Sequence, residues 1–504
     1  MDDQDIFSKR GSYRQEIIKN ENDKKYFNKV TNNINENENE NEEKIKRFKQ
    51  DNKIKTNEMR KIHMNDLNEY YQKYKEEIDL KLKINKKKLS VAMVFGYDGT
   101  GYYGLGYQVD IKYPSIENLI EKVLFRCGHI LPSNVGELKR LKWSHSSRTD
   151  KGVHSLATVI SCFLVVDDNT FKNDINQTFI DTINNYLPSS IRLFSACKVS
   201  RSFQARKKGI ERSYNYMVPS EYLNNIKIDE MNKILQNFIG INSYHNFTSK
   251  RNTYLSNNNN KNHEKDEKDE EDGDEEEEED DEVEVENSNN NNSNYRLNEK
   301  LLFRNNSTNI RNIKSFYVEN EIIEIKGKGW YKFVIIGESF ILYQIRRMVG
   351  FFLSIVKGYS TVEALELSLK SPFSICVPTA PPFPLYLFNV KFDPNSNVEK
   401  LFSNPEPIQF KQFNFLQSQL IPRFNEIEFQ TNQFKEFFNY LENSHNFNLD
   451  DIDQLRILNQ QYQTEKEERK KQNELLLLKE KQETIVEIGN ERIEKLKKKE
   501  IKIN

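Results

Sequence analysis

The chain has 504 residues, of which 30% are charged and 36% hydrophobic, and its formal net charge is −2. Composition this polar means that long stretches lie outside any packed core, and no stretch is long and apolar enough to span a membrane. The near-neutral total hides an asymmetry. Residues 89–250 hold 19 Lys and Arg against 14 Asp and Glu, and residues 313–393 hold 9 against 7. The apolar residues concentrate in these two blocks, so the expected globular body is mildly basic. That is compatible with a phosphate-lined partner without demanding one.

Taken in chain order, residues 1–88 open on a mixed-charge, Asn/Glu-rich tract and continue into charged, helix-favouring sequence. They read as a low-complexity N-terminal extension ending in a solvated helix. The cluster Lys81, Lys83, Lys86, Lys87 and Lys88 near its end fits a solvated linker, a nuclear-import signal or an RNA-touching arm. The N-terminus has no apolar core for a signal peptide, and its early acids argue against a mitochondrial transit peptide. Nucleus or cytoplasm is expected, with the mitochondrion left open.

From Ser90 the pattern changes. VAMVFGYDGTGYYGL predicts a strand and a Gly-rich turn, and SIENLIEKVLFRCGHI repeats apolar residues at helical spacing. ATVISCFLVV predicts a buried strand, and DINQTFIDTINNYLP a helix stopped by Pro188. RSYNYMV and SFYVENEIIEIKGKGWYKFVIIGESF have the β-branched and aromatic content of antiparallel strands. Residues 89–250 are therefore read as the first part of the body and 313–393 as the second. Between them, 251–312 is an Asn-rich acidic insertion unable to bury a core, tolerated because loop-closure entropy grows slowly with length. Residues 394–504 read as a polar linker followed by a charged helical extension.

Cys127, Cys162, Cys197 and Cys376 lie far apart with no C-x-x-C pair, so neither a zinc site nor a disulfide framework is signalled, and a reducing compartment fits. GYDGTGYYG is Gly-rich but lacks the Lys-Ser/Thr of a phosphate-binding loop. No metal or organic cofactor is expected.

The most informative segment is SSRTDKGVHS, residues 146–155. On composition alone it is a turn. It resembles, however, the R-T-D-K-G-V-[HS]-A signature of the TruA family of pseudouridine synthases. Further segments resemble that family in order and spacing: GYDGTGYYGLGYQ, SIENLIEKVL, RSFQARKKGIERSYNYMV, GINSYHNFTSK (with Tyr244 and Asn246 replacing other polar residues) and SFILYQIRRMVG. The Q-I-R-x-M-V-G form is most similar to the eukaryotic tRNA-modifying subfamily. One departure is Pro384 in APPFPLYLF, where the family usually has glycine, which puts the local backbone at issue.

The resemblance implies an α+β fold: two related halves forming a continuous, mostly antiparallel sheet with flanking helices and a central cleft. It implies isomerisation of uridines in tRNA, or in another structured RNA, without a cofactor. By the same resemblance Asp150 is the catalytic carboxylate, with Arg346 pairing with it and holding its pKa low. Tyr214 lies against the target uracil and helps remove the C5 proton. Arg148 reaches RNA or fills the gap left by an extruded base, and Lys151 contacts substrate. His154 is structural or RNA-facing. The rival readings are a non-catalytic RNA-binding or RNA-chaperone protein that keeps the fold, and a scaffold assembled through charged helices. Intact Asp150, Tyr214 and Arg346 speak against both.

Overall fold

A computed structural model describes residues 21–167, 169–171, 177–248, 309–370, 375–396, 398, 401–402 and 408–444, with short stretches between 452 and 482; side chains are described from residue 53. The expected acidic insertion falls almost wholly outside the described residues, as does most of the charged C-terminal tail.

Helix α1 (Glu21–Ile84) leads into β1 (Lys87–Tyr97). Helix α2 (Ile116–Arg126) follows, capped by the Ser115 hydroxyl, which accepts from the Asn118 N–H at 3.2 Å. Then come β2 (Ser144–His145), β3 (His154–Val166), α3 (Gln177–Tyr186) and β4 (Ile191–Lys198). The second half runs β5 (Gly209–Pro219), α4 (Ile228–Leu235), β6 (Gly240–Ser243), β7 (Ile310–Ile325), β8 (Lys328–Gly337), α5 (Gln344–Val356), α6 (Val362–Lys370) and β9 (Leu385–Phe392). The chain continues through α7 (Ile408–Phe415), a π-helical turn (Leu416–Leu420), α8 (Ile421–Thr431) and α9 (Gln433–Ser444).

The nine strands make one sheet in the order β4-β1-β3-β9-β5-β8-β7-β6, with β2 paired to β3. This is the α+β, mostly antiparallel architecture that the motifs implied. Within each half the pairs are antiparallel, for example Val94 opposite Val159 and Tyr214 opposite Ile335. The halves meet at β3 and β9, which run parallel and pair through just His154 with Tyr386 and Ser155 with Leu387. The seam of the sheet is therefore short, and it lies at the end of the SSRTDKGVHS loop.

Alternation along β1 divides the interior in two. Val91, Met93 and Phe95 face a core shared with Ile120, Leu124 and Ile183 of α2 and α3. Ala92 and Val94 face the other core, which contains Tyr216, Phe351 and Phe434. In β3 residues His154–Cys162 are all buried, as expected of a strand covered on both faces.

Two terminal segments depart from their sequence reading. The second half of α1 is not a solvated helix: Leu67 and Ile78 are fully buried, and the Arg126 guanidinium lies over the Tyr74 ring at 3.8 Å. Lys81 is not part of a free arm, since it pairs with Glu77 at 2.8 Å and bonds the Tyr186 hydroxyl. Nor is 394–444 a plain linker. Val398, Leu401, Phe415, Leu420, Phe424 and Phe434 are buried in the second core, so the segment straps the sheet. Its average polarity concealed apolar side chains at helical spacing.

Phe434 packs edge-on against Tyr216, Trp330 and Phe383 and stacks on Tyr222. Truncating so enclosed a ring removes its transfer energy and leaves a cavity. Phe434→Ala is expected to destabilise the protein by about 3–5 kcal/mol, read as a lowered denaturation midpoint in urea. A loss below about 1 kcal/mol, the range of ordinary surface substitutions, would show that the strap is not part of the folded core.

Candidate active site

The SSRTDKGVHS loop is held from three sides. Glycines of the opening Gly-rich loop let two backbones meet: a Cβ on Gly99 would lie 2.1 Å from the Val153 carbonyl oxygen. The Thr149 carbonyl accepts from the Leu105 N–H at 3.1 Å, and its hydroxyl lies 2.7 Å from the Tyr97 hydroxyl. From β5, the buried Arg212 donates to the Ser146 carbonyl at 2.7 and 3.1 Å and to the Gly209 and Glu338 carbonyls at 2.8 Å. These four hydrogen bonds to three backbone carbonyls fix this guanidinium and with it the start of the loop.

The loop presents Asp150 to Arg346, whose Nη1 lies 3.9 Å from Oδ2; the two side chains are 17% and 15% exposed. Arg346 stands in the first turn of α5 after Tyr343, which has φ +62°. Its Nε donates to the Ala380 carbonyl at 2.8 Å, and the Ala380 N–H donates back to the Arg346 carbonyl at 3.1 Å. Gly350 makes this close approach possible, because a Cβ there would sit 2.3 Å from the Pro378 carbonyl oxygen. The loop 378–384 thus anchors the cation while β3 delivers the carboxylate.

The electrostatics correct one expectation. Desolvation pushes the Asp150 carboxyl above its ordinary 3.8, and the Arg346 guanidinium opposes that rise without reversing it. A contact at 3.9 Å lacks the short, bidentate geometry that would hold the carboxyl low. Tyr214 closes the site. Its hydroxyl bonds Ser147, and its ring meets Phe340 edge-on at 5.3 Å between centroids. Burial, with Asp150 adding to it, pushes its phenol up to about 12 against the effects of Ser147 and Arg212. The group is therefore a neutral hydroxyl at neutral pH.

Asp150, Arg346 and Tyr214 are thus brought together, while Arg148 and Lys151 are exposed on the same loop. The Lys151 ammonium lies over the Tyr103 ring at 3.6 Å. Pro384 disturbs nothing locally: β9 begins at the next residue, and the Pro384 carbonyl accepts from the Met217 N–H at 3.0 Å. A missing N–H is harmless just ahead of a strand. Tyr244 and Asn246 serve the fold, the first donating to the Phe238 carbonyl at 2.6 Å and the second to the Ser368 carbonyl at 2.9 Å.

His154 is fully buried and structural. Its Nε2 lies 2.6 Å from the Phe383 carbonyl oxygen, an acceptor only, so this nitrogen carries a hydrogen. Its Nδ1 is 3.0 Å from Asp98 Oδ1 and 3.0 Å from the Gly99 nitrogen. Asp98 Oδ2 in turn accepts from Arg423 Nε at 3.1 Å. Neither Asp98 nor Arg423 was singled out from the sequence. The Y-D-G-T match pointed toward the first, and nothing pointed to the second.

Residues 301–393 match the family described as tRNA pseudouridine synthase. That segment is similar to a TruA-type pseudouridine synthase domain. The chain is 27% identical over 417 residues to tRNA pseudouridine synthase 1 of Candida albicans, covering 71% of this chain and 66% of that one. It is 24% identical over 342 residues to Pseudouridylate synthase 1 homolog of Homo sapiens, covering 64% of each. Tighter similarity is local: 34% over 133 residues to tRNA pseudouridine synthase 1 of Saccharomyces cerevisiae, covering 26% of this chain and 23% of that one. The matches to the first two relatives span just under two thirds of their lengths.

Asp98, outside the matched segment, carries a pH signature. Burial raises its carboxyl, but the bonds to His154 and to the Thr100 N–H outweigh burial, and the net direction is well below the usual carboxylate range. A carboxylate depressed in the folded state contributes stability that is full above its unfolded value, near 3.8, and lost as pH falls through the folded value. Asp98→Asn should therefore be less stable at neutral pH and lose less on acidification below about pH 4. Urea midpoints of both proteins across that range test it, and parallel curves would show that Asp98 is not so depressed.

Proposed function

We propose that this chain is a tRNA pseudouridine synthase in which Asp150 is the catalytic carboxylate. The observation that carries the reading is Asp150 and Arg346 facing each other at 3.9 Å from opposite halves of the sheet. The relatives' names support tRNA as the substrate. The reaction breaks the C1′–N1 bond, turns the uracil, joins C5 to C1′, and replaces the proton lost from C5 with one gained at N1, with no net change in composition. A carboxylate serves either by attacking the ribose or by assisting a glycal-like intermediate. Arg346 favours the ionised form of Asp150 and fixes its direction. The neutral Tyr214 supplies a flat face and a hydroxyl for the uracil.

Asp150→Asn is expected to abolish pseudouridine formation while leaving tRNA affinity within about tenfold, because phosphate contacts supply most of the binding. Tritium release from C5-labelled uridine, measured beside binding, checks both halves. Full turnover by the variant would end the assignment.

A uridine in a stacked stem must be extruded before its glycosidic carbon is reached, at a cost of a few kcal/mol that is least for an unpaired base. Arg148, exposed beside Asp150, is assigned the space the base leaves, with Lys151 contacting the RNA alongside. Arg148→Ala should lose more rate on a paired target than on the same uridine in a mismatch, whereas Tyr214→Phe should lose equally on both. Single-turnover rates on matched and mismatched stems distinguish the two, and equal losses for Arg148→Ala would remove its role in extrusion.

A further inference from the structure

The strap crosses the sheet at its weakest place. The parallel seam is two residue pairs long, and its first pair is His154 with Tyr386. Phe424 of α8 packs on both, 5.4 Å from the His154 ring and stacked on the Tyr386 ring at 6.0 Å. One residue earlier, Arg423 reaches Asp98 with Nε and Glu426 with Nη1, at 3.1 and 2.8 Å. The Asp98 side chain is only 6% exposed, whereas that of Arg423 is 38% exposed. A carboxylate so enclosed needs a partner of opposite charge to stay ionised, and Arg423 is the Lys or Arg that reaches it among the described residues.

We propose that Arg423 is a positioning residue for the Asp150–Arg346 pair. It holds Asp98, the N–H of the neighbouring Gly99 donates to His154 Nδ1, and His154 Nε2 donates to the Phe383 carbonyl. His154 ends the loop that carries Asp150. Phe383 belongs to the loop whose Ala380 carbonyl fixes Arg346. Both loops are therefore tied at one point, and the C-terminal helix closes that tie from outside. Without Arg423 the Asp98 carboxylate loses the guanidinium that reaches it, the Asp98–Gly99 backbone no longer fixes the direction of the His154 ring, and the two loops slide relative to each other across the short seam. The carboxylate and the guanidinium then leave their working separation, although neither has been touched.

This inference rests on the activity proposed above, and its test keeps the two apart. Single-turnover pseudouridine formation on tRNA and tRNA affinity are measured for the full chain and for Arg423→Ala, Arg423→Lys, Asp98→Asn and the double variant Arg423→Ala with Asp98→Asn. Misplacing a reacting group by about an ångström costs on the order of 100-fold. Arg423→Ala is expected to slow the single-turnover rate about 10- to 100-fold, with tRNA affinity within about threefold because no phosphate contact is removed. Arg423→Lys should recover part of the rate by restoring the charge without the fork. The double variant should be no slower than the slower single one, since both substitutions break one tie. Phe429→Ala, on the same helix but 80% exposed, should behave as the unaltered chain. Should Arg423→Ala fail to fold, Arg423→Lys and Arg423→Gln carry the comparison. An unimpaired rate in the Arg423 variants, a loss confined to affinity, or rate losses that multiply in the double variant would overturn the inference. An unaltered chain that forms no pseudouridine would instead remove the proposed activity on which it stands.

Discussion

The structure depends on keeping a carboxylate and a guanidinium opposite each other in a desolvated cleft when they come from different halves of the chain. Desolvation alone would favour a neutral Asp150, and only the cation of Arg346 opposes it. A pair at 3.9 Å is sensitive to small displacements, because its geometry is not locked by parallel hydrogen bonds. Rigidity must then be supplied from outside the pair. Arg212 supplies it at the start of the catalytic loop, the Gly-rich loop along its middle, and His154 at its end. On the other side the reciprocal bonds between Arg346 and Ala380 hold the guanidinium to the backbone.

That requirement explains why the terminal segments belong to the folded body. A sheet joined by two parallel residue pairs has few ladder bonds at its centre, and packing must take over from them. β3 is buried on both faces, so something must cover each. The second half of α1 lies with α2 over one core, and α7 to α9 close the other. Phe424 of the strap packs across the seam on His154 and Tyr386, where the halves would otherwise part, while Phe434 packs within the second half on Tyr216, Trp330 and Phe383.

The sequence made the centre of this arrangement legible and its supports much less so. Asp150, Tyr214 and Arg346 could be named because the motifs around them are compact and chemically unusual. The strands and helices of the body followed from period-2 and period-3.6 patterns that survive in VAMVFGY and SIENLIEKVL. Arg423 had no such signal, being one cation in a polar, aromatic stretch whose value appears only when its partner is found 325 residues away. The strap was misread for a related reason: average polarity says little when one apolar residue per turn suffices to bury a helix. Asp150 was misjudged in its pKa because a motif names a partner without giving its distance or the surrounding water. Pro384 looked disruptive as a departure from a pattern, but its backbone fits its place just ahead of β9.

The proposed reaction gives a reason for fixing the site so heavily. Between breaking the bond to N1 and making the bond to C5, the uracil has no covalent tie to the ribose, and any enlargement of the cleft lets it turn wrongly or leave. An enzyme that relied on a flexible pair would have to reorganise the pair and hold the base at the same moment. Here the neutral Tyr214 phenol, bonded to Ser147 and wedged against Phe340, keeps its ring in place without carrying charge. In the proposed reaction Asp150 is the group that changes its bonding, while its surroundings stay still. Electrostatic stabilisation is most effective when the dipoles and charges need not move during the reaction, and every tie traced from Arg212 to Arg423 acts to keep them in place.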